Sequence, residues 1–262
     1  MNNSDTTNTA TADNTQKKTV VQIEGLKKAF GTQQVLKNLN LELRDGENLV
    51  VLGKSGSGKS VLIKCMVRLL QSDAGLIHIL GDEVNAMKKN ELSMLRQKIG
   101  FLFQSGALYD SMTVRQNIEF PLKRIKKGIK QDELEHKVLE VLENVGLTDA
   151  IDKMPSQLSG GMRKRISLAR TIVVDPLIML YDEPTTGLDP VTSKEISMLI
   201  NDIQTKYKTS SIIITHDMEC VRNTANRIIM LQDGEVYKEG QLEAFEHSDD
   251  VLIQSFFESN KK

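Results

Sequence analysis

The chain has 262 residues, of which 39% are hydrophobic and 26% charged, so it can bury a sizeable core in one large domain. Its 34 Lys and Arg residues against 35 Asp and Glu residues leave a net charge of −1, which argues against wholesale binding to nucleic acid or to an anionic membrane. The two cysteines, Cys65 and Cys220, lie among aliphatic residues and indicate buried thiols of a reducing compartment, not a disulfide framework.

The first segment of the chain lacks the apolar core of a secretory signal. Residues 1–19 are rich in Asn, Thr and Asp, a composition that predicts a disordered polar tail. Further along, the longest apolar runs fall far short of the ~20 residues that a membrane span requires. If the protein serves a membrane, we expect another chain to cross it.

The next segments predict an α/β protein. Short strands broken by turn residues from Val20 to Leu43 indicate an antiparallel β layer. The stretch "NLVVLGKSGSGKSVLIKCMVRLL" then reads as a buried strand, a glycine loop and a helix. The later segments "HIL", "IGFLF", "LIMLYDEP", "SIIITHD" and "RIIMLQDGEVYKEG" predict further strands, mostly parallel. In such sheets ligands bind at the carboxyl ends of the strands.

Between about 112 and 170 the sequence becomes charged and helical, which predicts an α-helical subdomain inserted in the α/β core. One helix face there collects the apolar residues Leu134, Val138, Leu139, Val141, Leu142 and Val145. A basic cluster at the start of this region comprises Lys123, Arg124, Lys126, Lys127 and Lys130. A solvated face is the favoured interpretation of that cluster, and a phospholipid contact is the alternative.

The segment "GKSGSGKS", Gly53 to Ser60, is a complete phosphate-binding loop (P-loop) between a strand and a helix. The residues that we expect to bind phosphate are Gly53, Lys54, Ser55, Gly56, Ser57, Gly58, Lys59, Ser60 and, in the first helical turn, Val61. Glycines let backbone N–H groups close around phosphate oxygens, and the helix N-terminus adds its dipole. Lys59 is expected to reach the β- and γ-phosphates and Ser60 to bind Mg²⁺.

Polar side chains that end three other β segments complete the predicted site. Asp182 and Glu183 end "LIMLYDE", where Asp182 can hold Mg²⁺ and Glu183 can orient or deprotonate the attacking water. Gln104 follows "IGFLF" and can touch Mg²⁺ and that water. His216 follows "SIIIT" and can hold the γ-phosphate.

These motifs, together with "LSGGM" and "GLD" and in this order, resemble the nucleotide-binding subunit of an ATP-binding-cassette (ABC) transporter. The resemblance covers about Val20 to Gly240 and implies a P-loop ATPase that uses ATP and Mg²⁺. Residues 241–262 follow it as a helical C-terminal tail, whose apolar residues leave open whether it packs on its own domain or on a partner subunit.

The resemblance also implies residue roles that spacing alone does not. Two chains would pack head to tail as a homodimer, with Ser159, Gly160 and Gly161 facing the γ-phosphate held by the partner. Asp189 in "GLDP" would communicate across the dimer, and Phe30 in "KAFG" would stack on adenine. That stacking position is more often Tyr in the family, and Phe keeps the aromatic face.

One departure from the family pattern narrows the resemblance. Met162 is the last residue of "LSGGM", the signature motif of the family, where Gln is usual. With this Met, and with the segments "FQSGALYDSMTVRQNIEFPL" and "HSDDVLIQSF", the chain resembles the Mla-type phospholipid-trafficking subgroup. That subgroup implies a separate permease, a lipid-binding subunit of the mammalian-cell-entry type and a peripheral position on the cytoplasmic face of the inner membrane. The permease is expected to dock near Gln104 to Tyr109; a loop buried against the helical subdomain is the alternative there.

Other functions compete with this interpretation. Within transport, an amino-acid importer or a cell-division cassette would carry the same ATPase motifs. Outside transport, a soluble cassette acting on DNA or ribosomes is the rival. Such proteins typically carry two cassettes or a long coiled-coil insertion, which this sequence lacks, and its charge balance also disfavours nucleic acid.

Overall fold

The computed structural model describes residues 18–258, so the expectation of a disordered tail over 1–19 lies almost entirely outside the described residues. The strands are β1 (Thr19–Phe30), β2 (Gln33–Arg44), β3 (Asn48–Leu52), β4 (Ala74–Ile79), β5 (Asp82–Glu83), β6 (Ile99–Leu102), β7 (Ile178–Asp182), β8 (Ser210–Thr215), β9 (Arg227–Gln232) and β10 (Glu235–Gly240). The α-helices are α1 (Lys59–Met66), α2 (Lys89–Gln97), α3 (Val114–Ile125), α4 (Gln131–Asn144), α5 (Gly160–Ile172), α6 (Pro190–Tyr207), α7 (Met218–Thr224), α8 (Leu242–Glu246) and α9 (Val251–Glu258).

The strands form two sheets with different pairing. A four-stranded sheet has the order β2-β1-β4-β5 and is antiparallel, as expected for the N-terminal β layer. A six-stranded sheet has the order β10-β9-β3-β8-β7-β6 and is parallel except for β10. His78 and Ile79 of the "HIL" segment, grouped above with the mostly parallel strands, belong to β4 and pair antiparallel with β1. A three-residue apolar run carries no signal of strand direction, so only the pairing reveals it.

The parallel sheet is buried on both faces, and alternate residues of one strand enter different cores. In β3, Val50 and Leu52 join the core on the side of the helical subdomain. Leu49 and Val51 join the core beneath the antiparallel sheet. Side chains of a strand point alternately to its two faces, so an all-apolar strand is what a two-sided environment requires.

Helices α3, α4 and α5 follow β6 and form the region predicted as helical. Thr113 begins α3, with its hydroxyl accepting from the Gln116 backbone N–H while the Gln116 side chain accepts from the Thr113 N–H. This capping box explains why the helix starts there. The apolar stripe of α4 is buried as predicted, except that Leu139 is 43% exposed.

The C-terminal helices pack on their own domain. Phe245 of α8, and Ile253 and Phe257 of α9, are buried in the same core cluster as Val221 of α7. Cys65 and Cys220 are likewise buried, and burial raises the pKa of the thiols to about 11 and about 12. Between residues 18 and 258, no helix has the length and apolar character needed to cross a bilayer.

A buried ion pair joins the two sheets. Arg227 at the start of β9 donates from Nε and Nη2 to the two Glu47 carboxylate oxygens, at 2.7 and 2.8 Å, and from Nη2 to the Glu42 carbonyl of β2 at 2.7 Å. Burial raises the pKa of the Glu47 carboxyl, but the hydrogen bonds from Arg227 and the Arg44 backbone outweigh it and hold the pKa below its ordinary value.

Glu47→Gln is expected to lower the free energy of unfolding at pH 7 by about 3 kcal/mol, because it removes the buried carboxylate partner of the Arg227 guanidinium and leaves only the half-exposed carboxylate of Glu239. Since the folded pKa of Glu47 is lowered, its contribution is present above the ordinary pKa and is lost as the pH falls through the folded one. The difference from wild type should therefore shrink below about pH 4. Urea unfolding followed by circular dichroism measures it. Exposed Glu235→Gln is the control, and an equal loss there would refute the ion-pair argument.

Candidate functional site

A cavity of about 790 Å³ opens where four parallel strands end. The P-loop follows β3, Gln104 follows β6, Glu183 follows β7 and His216 follows β8. The cavity is lined by Val35, Lys54, Ser55, Gly56, Gly58, Lys59, Ser60, Val61, Gln104, Glu183, His216, Ser255 and Phe256. The fold thus brings together side chains separated by more than a hundred residues, as parallel strands predict.

The P-loop adopts a conformation that only glycine accommodates at its end. Gly58 has φ +102°, and a Cβ there would lie 2.8 Å from Leu36 Cδ2 and 3.0 Å from the Val35 carbonyl oxygen. It directly precedes α1, whose first N–H groups come from Lys59, Ser60 and Val61. Those N–H groups have no partner within the helix and, with the helix dipole, favour an anion.

Lys59 is folded back over the loop. Its ammonium donates to the Gly53 carbonyl at 2.7 Å and to the Lys54 carbonyl at 3.0 Å, and lies 3.8 Å from Glu183 Oε1. Burial lowers the pKa of Lys59, while the carboxylates of Glu183 and Asp182 counter part of that effect. Gly53 and Ser57, both expected to bind phosphate, do not line the cavity; Gly53 accepts from Lys59, and the Ser57 N–H donates to the Lys54 carbonyl at 3.2 Å.

Ser60 and Asp182 form a pair of oxygen ligands for a divalent cation. Ser60 Oγ donates to Asp182 Oδ1 at 2.8 Å, and Asp182 is buried at the end of β7. Hydroxyl and carboxylate oxygens suit Mg²⁺, which takes few protein ligands and completes its shell with water and phosphate oxygens. The residues present therefore fit the predicted cation. Gln104, the third predicted ligand, lines the cavity with Ser60, whereas Asp182 is not among the lining residues.

Glu183 is held in a strained backbone conformation. Its φ is +52°, a left-handed value that costs a non-glycine residue energy and is typical of functional sites. One carboxylate oxygen, Oε2, lies 2.8 Å from His216 Nδ1 and accepts from Thr186 Oγ1 at 3.1 Å. The other lies toward Lys59. Glu183 thus contacts Lys59 through one carboxylate oxygen and His216 through the other. The His216 side chain is 58% exposed.

The signature turn, residues 159–161, lies outside this cavity. None of Ser159, Gly160 and Gly161 is among the cavity-lining residues in the described part of the chain. Ser159 begins α5 as its N-cap, accepting from the Met162 N–H at 3.2 Å. A Cβ on Gly161 would lie 2.5 Å from Thr192 Cγ2. The turn therefore packs against the start of α6, where the Asp189 carboxylate accepts from the backbone and hydroxyl of Thr192.

Asp189 is the N-cap of α6 and, like the signature turn, does not line the cavity. Hydrogen bonds from the Thr192 side chain and backbone hold the pKa of its carboxyl below the usual range. Asp189 and the signature turn thus form one exposed surface, and neither contributes to the cavity of the same chain.

Phe30 ends β1 and is 47% exposed, with the Lys28 ammonium 5.4 Å from the centre of its ring, but it does not line the cavity. Three residues that sequence reasoning missed do line it: Val35 of β2, and Ser255 and Phe256 of α9. No motif marks them. The amphipathic pattern of the tail predicted a helix without indicating the surface it meets.

The loop from Gln104 to Tyr109 packs on the helical subdomain. A Cβ on Gly106 would lie 2.6 Å from Ser167 Oγ of α5, and the buried Asn117 amide of α3 bonds to both backbone polar groups of Tyr109. The Tyr109 ring stays 41% exposed, with the Arg170 guanidinium 4.7 Å from its centre. Gly106 and the Tyr109 backbone are thus packed against the helical subdomain, as the buried-loop interpretation predicts. The Tyr109 side chain remains partly exposed to solvent.

Comparison with known proteins identifies a family. Residues 36–186 match the family model described as "ABC transporter". The chain is 38% identical over 223 residues to the methionine import ATP-binding protein MetN of Rhizobium johnstonii, covering 85% of this chain and 61% of that protein. It is 37% identical over 241 residues to the "Probable ribonucleotide transport ATP-binding protein mkl" of Mycobacterium leprae, covering 92% of this chain and 69% of that one. The chain thus spans under two thirds of the length of the MetN relative.

Solved structures agree with the fold. A dimeric, post-hydrolysis structure of the ATP-binding cassette MJ0796 bound to ADP and Pi superposes with a TM-score of 0.78 at 33% identity, covering 85% of this chain and 98% of that one. The cbiO1 protein of Clostridium perfringens, part of the transporter complex cbiONQ, superposes with a TM-score of 0.80 at 28% identity, covering 87% and 91%. The expected fold class, a P-loop ATPase core with an antiparallel layer, is confirmed.

Gly58→Ala is expected to weaken ATP binding at least about tenfold, because the added methyl group forces the turn before α1 apart and misaligns its N–H groups. A fluorescent ATP analogue titrated into the protein measures the affinity. Gly81→Ala is the control, since Gly81 has a comparable φ of +90° but no atom within 4 Å of the added Cβ. Equal affinities of the two variants would contradict the proposed role of Gly58.

Proposed function

Because the chain belongs to the ABC transporter family and is an ATPase cassette that uses ATP and Mg²⁺, we propose that it is the motor subunit of a membrane transport complex. The observation that carries this proposal is the cavity itself. A lysine, a hydroxyl–carboxylate pair, a second carboxylate and a histidine converge at the end of one parallel sheet. These are the groups that phosphoryl transfer to water requires.

The chain's own residues divide the chemistry among them. The N–H groups of α1 and the Lys59 ammonium bind the phosphate oxygens. Ser60 and Asp182, with Gln104, would hold Mg²⁺, and the cation would neutralise phosphate charge. Glu183 orients a water molecule and accepts its proton, and His216 holds Glu183 and the γ-phosphate on the open side of the cavity. The 2.8 Å contact between His216 and Glu183 supports this pairing.

The position of the signature turn supports a head-to-tail homodimer. Ser159 presents the N-terminus of a 13-residue helix at the surface, away from the cavity of its own chain. A helix N-terminus favours an anion, so the turn of one chain suits the γ-phosphate held by another. ATP would then bridge two chains, and hydrolysis would release them, which gives a switch between two states.

We place the permease contact at Gln104 to Tyr109 and the cassette on the cytoplasmic face of the inner membrane. The exposed Tyr109 ring packs edge-on against Phe120, with centroids 5.2 Å apart, which makes a rigid aromatic surface beside the cavity loop. Aromatic rings of this kind are frequent anchors of interfaces. The Lys123-to-Lys130 basic cluster lies on the same helical subdomain.

For the transported molecule, the similarities favour the amino-acid importer considered above. The MetN relative of Rhizobium johnstonii, at 38% identity, is named for methionine import. The relatives compared above are not named for phospholipid trafficking, so the comparisons give the Mla-type expectation no support. We therefore infer methionine or a similar amino acid as the first substrate to test.

Phospholipid stays the second candidate because of Met162. This residue replaces the usual signature Gln and is half-buried against the core of the helical subdomain, next to the turn that defines the family. The Mla-type partner, a lipid-binding subunit of the mammalian-cell-entry type, depends on this candidate alone.

Affinity purification of the tagged chain from detergent-solubilised membranes of its native cell separates these candidates. Mass spectrometry then identifies the proteins and lipids recovered in stoichiometric amounts. A permease with an amino-acid-binding protein supports import, and a permease with a single-span lipid-binding subunit and phospholipid supports lipid trafficking. Recovery of ribosomes or DNA without any membrane protein would overturn the transport proposal.

Glu183→Gln is expected to reduce kcat for ATP at least about a hundredfold, because the amide cannot accept the proton of the attacking water. ATP binding should persist, so the variant should accumulate as an ATP-bound dimer. Phosphate release and light scattering measure the two effects. The matched control is Glu143→Gln, an exposed glutamate of α4. Normal turnover in the Glu183 variant would exclude this residue as the base.

Ser159→Arg is expected to abolish turnover and leave ATP binding to the monomer intact, because the bulky cation blocks the turn facing the partner's nucleotide. Loss of the N-cap costs only about 1 kcal/mol of stability. Ser156→Arg, an exposed serine just before the turn, controls for the added charge.

Mixing two inactive variants distinguishes a site shared between chains from one within a chain. A dimer of Ser159→Arg with Glu183→Gln contains one site with both residues intact only if the signature turn serves the partner. Partial recovery of turnover on mixing is therefore expected, and no recovery would place the turn in its own chain's site.

A further inference from the structure

Lys164 is a buried lysine that the chemistry above does not use. It is only 7% exposed, although it lies on α5 near the signature turn at the surface. A buried ammonium is costly unless it is paired or hydrogen-bonded. The hydrogen-bond partners of the Lys164 ammonium therefore indicate why a lysine is buried at this position.

Both partners of the Lys164 ammonium are backbone carbonyls at the catalytic cavity. The ammonium donates to the Gln104 carbonyl at 2.5 Å and to the Glu183 carbonyl at 3.4 Å. Burial lowers the pKa of Lys164, and the nearby carboxylates of Asp182 and Glu183 counter part of that effect. One side chain thus joins the loop after β6 to the end of β7, the two segments that hold Gln104 and Glu183 in the cavity.

The same helix carries the signature turn. Lys164 is the fifth residue of α5, just over one turn from the Ser159 N-cap. The helix is fixed at its start by the Ser159 cap and by the close approach of Gly161 to Thr192. Rigid helices can carry coupling between sites, so a shift of either carbonyl would act on the turn through Lys164.

We propose that Lys164 is a positioning residue that couples the chain's own ATP cavity to the signature turn presented to the partner chain. This inference rests on the proposed function, because it needs two ATP sites to connect. Lys164 is not among the residues that line the cavity. It acts by holding the Gln104 loop and the Glu183 backbone in register with α5.

The test compares Lys164→Met, which keeps the length of the side chain and removes its donors, with Lys164→Arg, which keeps a charged donor. Methionine leaves the Gln104 and Glu183 carbonyls without this donor, so a thermal melt of each variant checks that the fold is preserved. Lys164→Gln is the second variant, should methionine impair folding. Lys127→Met, at an exposed lysine of the same subdomain, is the control.

In steady-state ATP hydrolysis, Lys164→Met is expected to lower kcat at least about tenfold while KM and monomer affinity for ATP stay within about twofold, because binding groups are untouched. Lys164→Arg should recover much of the rate. A purely structural role would instead lower the melting temperature and affect binding and turnover together. A kcat within about twofold of wild type in a folded Lys164→Met or Lys164→Gln variant would overturn the proposal.

Hydrogen exchange of the nucleotide-free protein tests whether Lys164 holds the Gln104 loop and the Glu183 backbone, and it does not require ATP hydrolysis. Lys164→Met is expected to speed exchange of the backbone amides in 104–109 and 183–188, with no such change in Lys127→Met. Unchanged exchange in both segments would overturn the positioning role. Absence of hydrolysis and of ATP-driven dimers in the wild type would overturn the proposed function instead, and the exchange result would still show whether Lys164 holds the loop.

Discussion

The parallel pairing of β3, β8 and β7 is the constraint on which the site depends. Leu52 of β3 lies opposite Thr215 of β8, and Asp182 of β7 lies opposite Ile214. This register brings the P-loop, the paired acids and His216 to the same edge of the sheet. The 2.8 Å bond from Ser60 to Asp182 then joins two segments 122 residues apart in sequence. A slip of one residue in one of these strands would move its end by about 3.3 Å and would separate the polar groups that follow it from their partners.

Two buried ammonium groups and two buried carboxylates balance one another around this edge. Lys59 and Lys164 are 6% and 7% exposed, and Asp182 and Glu183 are 5% and 8% exposed. Charges at such burial cost several kcal/mol each unless they are compensated. Both lysines use backbone carbonyls as direct acceptors and the carboxylates as longer-range compensation. The ammonium groups therefore stay hydrogen-bonded without neutralising the acids that the chemistry requires.

The sequence predicted the parts of this arrangement that depend on motif and periodicity, and missed those that depend on tertiary contact. The P-loop and the strand-end residues Gln104, Glu183 and His216 lie together because strand ends of a parallel sheet meet, which is a rule of topology. Lys164 was missed because a basic residue beside the signature looks solvated until its helix is placed against the loop after β6. Phe256 was missed because helical periodicity does not identify the receiving surface. For the same reason, Phe30 could be assigned to adenine only by resemblance, and it lies outside the cavity lining.

The separation between cavity and signature turn explains why one chain would need another under the proposed function. The P-loop, Lys59 and His216 all line the cavity, and the His216 side chain is 58% exposed to solvent. A second anion-binding helix terminus is available on α5, but its packing against Thr192 fixes it away from the cavity of its own chain. In the proposed homodimer, a second copy brings that terminus to the open side. Under the proposed function the nucleotide would then be part of the interface, so its cleavage would remove the contact that holds the copies together.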